Sequence, residues 1–206
     1  CGIVFGLCIV FALLMGAKPK DYWKMLTEKD QVSSVTAAYG NAVFLLNVGL
    51  FGLMILGYYD LVGGAFNGIT FGIIFCMLAT CNSGSNPATV WPILLGYGAA
   101  SYLFRGVSAL TGGQFAQAIN AQAILVGLCY ANGLSPITAT YGWQYGFGAA
   151  VVHYCLVTTV PSLHGGFCLY NGGFTAALTC ILVVPQLERF ARTKLQRLEA
   201  KTRENP

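Results

Sequence analysis

Asn67 and Asn171 are the residues of this sequence best placed to meet a solute. Each precedes a glycine and opens an apolar run (NGITFGIIF and NGGFTAALT). A side-chain oxygen at that position can cap free N–H groups. The same helix start offers partial positive charge to an anionic or dipolar group. Either residue could instead simply make an Asn-Gly turn, but the arrangement occurs twice. Asn86, ahead of Pro87, is a third polar residue at a helix start. His164 adjoins Gly165-Gly166 and could bond a solute or change charge near its ordinary value of about 6.5. Tyr170 leads directly into Asn171. The expected substrate-binding set is therefore Asn67, Asn86, His164, Tyr170 and Asn171.

Other polar residues have plainer uses. His153 lies among apolar neighbours and suits an interhelical hydrogen bond. Gln114, Gln117, Asn120 and Gln122 either line a path or bond neighbouring helices. Arg105 reads as an interface anchor, and Asp60, after Tyr58-Tyr59, as a solvated boundary residue. The eight cysteines show no CxxC pair and mostly fall in apolar runs, which makes them packing residues. No His–Glu box, Walker, GxSxG or GxGxxG motif occurs in its required setting, and no acid pair lies in the apolar region. The expectation is a non-enzyme with no metal and no cofactor.

These residues need elements to hold them, and the charge distribution says which. Of 206 residues 56% are hydrophobic and 9% charged. Between Gln31 and Leu187 the only charges are Asp60 and Arg105; the rest lie in 18–30 and 188–204. Long charge-free apolar blocks are transmembrane helices. The expected fold is an all-α, polytopic transmembrane helix bundle with broken or re-entrant half-helices. The blocks fall at 2–17, 39–59, 69–81, 87–104, 114–130, 142–160 and 173–187. Polar loops are expected at 18–34 and 131–141. The 69–81 run would span only about two-thirds of a hydrocarbon core of roughly 30 Å. With the segment after it, it makes a helix–break–helix unit over 60–104. Pro87 suits a first turn, whereas Pro92 should kink or loosen its helix. Gly146, Gly148, Ala149 and Ala150 permit close helix packing.

The domain plan is a transmembrane domain over 1–187 and a basic amphipathic tail over 188–206, which either lies on an anionic leaflet or is a solvated helical end of the last span. The tail carries six Lys/Arg against three acids, and the 18–29 loop is also Lys-rich. The positive-inside rule puts both on the cytoplasmic side of a cell membrane crossed several times. An opening Cys1 without Met is read as a truncation point. The expected partners are the lipid bilayer, a small polar solute, and further copies or a companion membrane chain. Nucleic acid is not expected, because the basic residues sit at membrane edges.

An internal echo adds to this pattern. GGAFNG at 63–68 parallels the Gly165-Gly166 and Asn171-Gly172 run, and Asn86-Pro87 parallels Ser135-Pro136. Discontinuous helices at matching positions in two halves point to a transporter site.

The run LHGGFCLYNGGFTAALTCILVVPQLE resembles the C-terminal signature of a bacterial membrane-protein family catalogued as domain of unknown function 1576. The stretches NGITFGIIF…NSGSNPATVWPILLG and YGWQYGFGAAVVHYCLVTTVPSLHGG are similar to that family's pattern too, covering roughly residues 60–187. At 82–85 this chain has NSGS where the pattern suggests a basic residue, which argues against an anion-related role for that loop. The resemblance implies a membrane protein and carries no activity. The functional expectation is a channel or secondary transporter for a small neutral or anionic solute. The alternative is a non-transporting subunit packed against another membrane chain through its Gly/Ala-rich faces.

Overall fold

A computed structural model describes residues 1–28, 33–113, 117–160 and 171–204, with side chains as far as 190 in the last segment. The chain is an all-α helical bundle, with no strand among the described residues. Its helices are α1 (Gly2–Leu14), α2 (Pro19–Leu26), α3 (Val35–Leu61), α4 (Gly68–Ala79), α5 (Pro87–Thr111), α6 (Gln122–Ala131), α7 (Ser135–Tyr141), α8 (Trp143–Thr159) and α9 (Asn171–Glu204). This is a membrane protein: three described stretches, Val35–Leu61, Pro87–Thr111 and Gln122–Tyr141, are long and apolar enough to cross a bilayer. Large apolar side chains such as Phe11, Phe75, Leu95, Leu110 and Ile181 point outward, as lipid contact requires.

The first apolar block stops at Leu14 and turns by 118° into α2. Residues 18–34 are therefore not simply a loop. Pro19 starts a short amphipathic helix that buries Tyr22 and Met25 against the start of α3 and leaves Trp23 outside. Within α3, Gly40 adopts φ 84°, ψ 165°. No L side chain takes that conformation comfortably, so the chain bends where a glycine permits it.

The short helix α4 is as expected and ends in a 3-10 turn at Thr80–Ser83. Its successor is longer than expected. Pro87 occupies the first turn of α5, which runs unbroken past Pro92 and Arg105 to Thr111. Pro92 lies little more than one turn in, where few backbone bonds are at stake. Arg105 is thus an exposed mid-helix residue.

Two expectations fail between 114 and 141. Periodicity favours a helix over 114–130, but residues 117–121 are not helical and α6 begins only at Gln122. Tertiary bonds win there: the buried Ser101 hydroxyl and the Tyr154 phenol both donate to the Gln117 carbonyl, at 3.0 and 3.1 Å. Conversely, 131–141 is helical rather than a loop, passing through a 3-10 turn into α7. Asn132 pins it to the end of α4 and Ser135 to Ser85 just ahead of α5, and Pro136 suits a helix start. Of the two readings of the tail, α9 follows the helical continuation of the last span: it runs through Pro185 and past 187 as one helix, because Glu, Arg, Lys, Gln, Leu and Ala are all strong helix formers.

Close packing of α5 on α8 sets the direction of the remaining helices. A Cβ on Gly96 would stand 2.7 Å from both Ala150 Cβ and the Phe147 carbonyl. This is the approach that small residues permit in membranes. Gly96 lies against Phe147 and Ala150, and Phe104 stacks on Tyr154, so α8 runs parallel to α5. Asn171 bonds Val157, and Thr175 bonds His153, so α9 runs back against α8. It heads toward the end of the bundle where α5 begins and α2 packs.

Candidate solute site

Asn67 ends the α3–α4 connection in extended backbone, and its Oδ1 accepts from the N–H groups of Ile69 (2.9 Å) and Thr70 (3.3 Å). Thr70 Oγ1 accepts in return from the Asn67 N–H at 3.0 Å, closing a capping box. The exposed Asn67 has a third donor, because Gln122 Nε2 reaches its Oδ1 at 3.2 Å. That bond joins the start of α4 to the start of α6. The same end is tied again where Asn120 Nδ2 donates to the Gly63 carbonyl.

The junction encloses a pocket of about 170 Å³, lined among the described residues by Ile69, Gln117, Gln122, Ala123, Thr158 and Asn171, with apolar residues of α6 and α8 between them. The first turns of α4, α6 and α9 meet here beside the last turn of α8. Ala121, which precedes α6, has no side-chain oxygen to cap with and makes no side-chain cap bond. Instead the Ala121 carbonyl accepts from the Ile124 and Leu125 N–H groups at 2.9 and 3.1 Å, so the first turn of α6 closes on its own N-cap residue. None of the described lining residues is charged.

Asn171 behaves differently from Asn67. It is 7% exposed, and its Nδ2 donates to the Val157 carbonyl at 2.9 Å. That contact fixes the amide orientation, since a carbonyl can only accept. Its Oδ1 is buried and has no hydrogen-bond partner. Asn171 therefore does not cap in the manner expected of it; its amide ties the start of α9 to α8, and its Oδ1 is sealed inside the packing.

Behind Asn171 the start of α9 is clamped by His153. The ring is wholly buried. Its Nε2 faces the Gly172 carbonyl at 3.1 Å and Thr175 Oγ1 at 3.0 Å, so Nε2 is the donor. Nδ1 bonds the buried Tyr97 hydroxyl. One imidazole thus ties α5, α8 and α9 together, the interhelical role its sequence context suggests.

Asn86 lies elsewhere. It caps α5 with a second capping box, Oδ1 accepting from Ala88 and Thr89 N–H at 2.9 and 3.1 Å, while Nδ2 donates to the Gly84 carbonyl. Around it runs a buried polar seam. Asn47 Nδ2 donates to the Ser85 carbonyl, Ser85 and Ser135 hydroxyls bond at 2.9 Å, and Asn132 Nδ2 donates to the Met77 carbonyl and bonds Thr80.

Of the five expected site residues, the structure places Asn171 in the pocket lining, sets Asn67 next to it through its bond to the lining residue Gln122, and leaves Asn86 in the seam. His164 and Tyr170 lie outside the described residues, as does Gln114. The ambiguous Gln117 and Gln122 prove to be lining residues. Thr158, Asn47 and Asn132 are additions. A lone polar residue in an apolar run, such as Asn47 in FLLNVGL, is the signal that marks them.

Among known proteins, the family model described as "Protein of unknown function (DUF1576)" matches residues 16–189. No curated protein and no solved structure matches the chain.

Proposed function

We propose, for a chain that belongs to the DUF1576 family and takes no activity from that name, that the pocket at Asn171 binds a small polar solute that the protein carries across a membrane. The observation behind it is the meeting of the first turns of α4, α6 and α9 on one pocket whose described lining residues carry no charge, inside an apolar bundle. Polar backbone at membrane depth is tolerated where it lines a cavity, and helix starts facing a site are a transporter arrangement. At about 170 Å³ the pocket is below the roughly 300–1,000 Å³ of sites for drug-sized ligands, so the solute is a neutral or anionic molecule of a few heavy atoms. The protein acts as a channel or secondary transporter in the cell membrane, crossing it several times. Its tail and α2 lie on the cytoplasmic side by the positive-inside rule. The competing reading, a subunit that docks through Gly/Ala-rich faces, is weakened because Gly96 and Ala150 already pack on each other and Gly146 packs on Thr138.

Proteoliposome flux tests this. Wild-type protein should speed equilibration of at least one of glycerol, acetamide and formate over empty liposomes. Ala123→Phe, which fills the pocket, should abolish that gain. No gain for any of the three, or a gain that survives Ala123→Phe, refutes the reading.

A further inference from the structure

We propose that the outer face of α2, carrying Lys20, Trp23 and Lys24, binds the headgroups of anionic phospholipid in the leaflet at its end of the bundle. That end is not the pocket end. The helix α4 begins beside the pocket and finishes in the turn at Thr80–Ser83, where Asn82 Oδ1 accepts from the N–H and hydroxyl of Thr36, both at 3.1 Å. On that same start of α3 the buried side of α2 packs. The backbone fixes how α2 is held. Gly16, at φ 86°, closes α1, with its N–H bonded to the Leu13 carbonyl and the Ala17 N–H to the Ala12 carbonyl. Pro19 then starts α2 at 118° to α1. Because α1 is apolar throughout and exposes Leu7, Val10, Phe11 and Leu14, it runs through the bilayer, and α2 lies nearer the membrane plane than its normal. The Thr27 hydroxyl closes the far end on the Trp23 and Lys24 carbonyls.

Spacing sorts the side chains of α2. Tyr22 and Met25 form its buried side. Lys20, Trp23 and Lys24, spaced i, i+3 and i+4, share the opposite face, and all three are exposed. The two nearby acids stand off that face. Asp21 is in the first turn, to its side, and Glu28 is turned back onto α3, where it accepts from the Tyr39 hydroxyl at 2.8 Å. Tryptophan marks the depth. Trp91 and Trp143 stack at 5.8 Å, near the starts of α5 and α8, and both keep exposed surface. All three tryptophans of the chain thus stand at one end of the bundle, as in an interfacial belt. An indole at headgroup level with two ammonium groups beside it meets lipid phosphate. Each such lysine favours an anionic leaflet by about five-fold, and a zwitterionic headgroup, with no net charge, does not draw that attraction.

The test is lipid selectivity at Trp23, read in the full chain reconstituted in phosphatidylcholine vesicles. Trp91→Phe with Trp143→Phe leaves Trp23 as the sole indole; if that variant folds poorly, the difference between wild type and Trp23→Phe reads the same residue. Phosphatidylglycerol with brominated acyl chains should reach half-maximal quenching at about one-fifth, or less, of the mole fraction that brominated phosphatidylcholine needs. Lys20→Gln with Lys24→Gln should bring the two lipids together, while Lys20→Arg with Lys24→Arg should keep them apart. Inorganic phosphate in excess, at matched ionic strength, should change neither curve. Equal quenching by the two lipids overturns the proposal. So does selectivity that survives the paired glutamines, which would place it elsewhere on the chain. Selectivity abolished by inorganic phosphate would make this a site for the free ion and overturn the lipid assignment.

Discussion

His153→Phe isolates the contribution of the clamp behind the pocket, because it preserves an aromatic ring while deleting both ring nitrogens. Tyr97 is fully buried, so its hydroxyl cannot turn to water once Nδ1 is gone, and an unpartnered buried hydroxyl costs about 1–3 kcal/mol. The Gly172 carbonyl suffers less, because Thr175 Oγ1 still donates to it at 3.0 Å. Nearly all of the cost therefore passes through Tyr97. Tyr97→Phe alone leaves Nδ1 unpartnered and should be destabilising for the mirror reason. With both substitutions no orphan remains on that side, so the double variant should lose less than the two single losses added. Interhelical hydrogen bonds in membrane proteins average about 0.6 kcal/mol and reach about 1.7. The coupling should lie in or above that range, since both partners are sealed from solvent. Reversible unfolding in mixed detergent micelles, run on the four proteins of the cycle, measures it. Additivity within about 0.3 kcal/mol would refute the claim that this bond holds α5 to α8.

Three further outcomes follow from the packing. Gly96→Ala should destabilise by about 1–3 kcal/mol, because its Cβ would press on Ala150 and the Phe147 carbonyl; Gly98→Ala, whose Cβ meets nothing within 4 Å, should be neutral or stabilising in the same unfolding assay. Asn86→Ala should cost about 1 kcal/mol or more and exceed Asn67→Ala, since the buried Thr89 N–H then has no water to turn to, whereas Asn67 is exposed. Trypsin added to sealed inside-out vesicles should cut both around Lys24 and in the tail, because α9 runs back toward the end where α2 packs; protection of one segment while the other is cut would refute that path.

The apolar elements were legible because lipid imposes length and composition, and the short α4 with its Asn67 cap is written in a local motif. What sequence periodicity could not supply were the places where distant side chains override it. Nothing local to 117–121 says that Ser101 and Tyr154 will claim the Gln117 carbonyl, and nothing local to 131–141 says that Asn132 will find the end of α4. The tail left two readings for a related reason: a change in polarity at Glu188 marks where hydrocarbon ends, and a helix need not stop there. The twin Asn-Gly and polar-Pro motifs were visible as pairs, but not that Asn67 would bond Gln122 in the lining of the pocket that holds Asn171, nor that Ser85, beside Asn86-Pro87, would bond Ser135.

The pocket and the seam differ in a way that bears on function. In the seam, polar side chains are turned on one another and on the end of α4, with one capping box and paired hydroxyls, while the Asn47 and Asn132 amide oxygens keep no partner. On the pocket side, the Ser101 and Tyr154 hydroxyls claim the Gln117 carbonyl, so 117–121 stays non-helical and α6 starts late, at the pocket. Non-helical backbone inside an apolar bundle is tolerated where it lines a cavity, and here bonds from α5 and α8 hold it in that place.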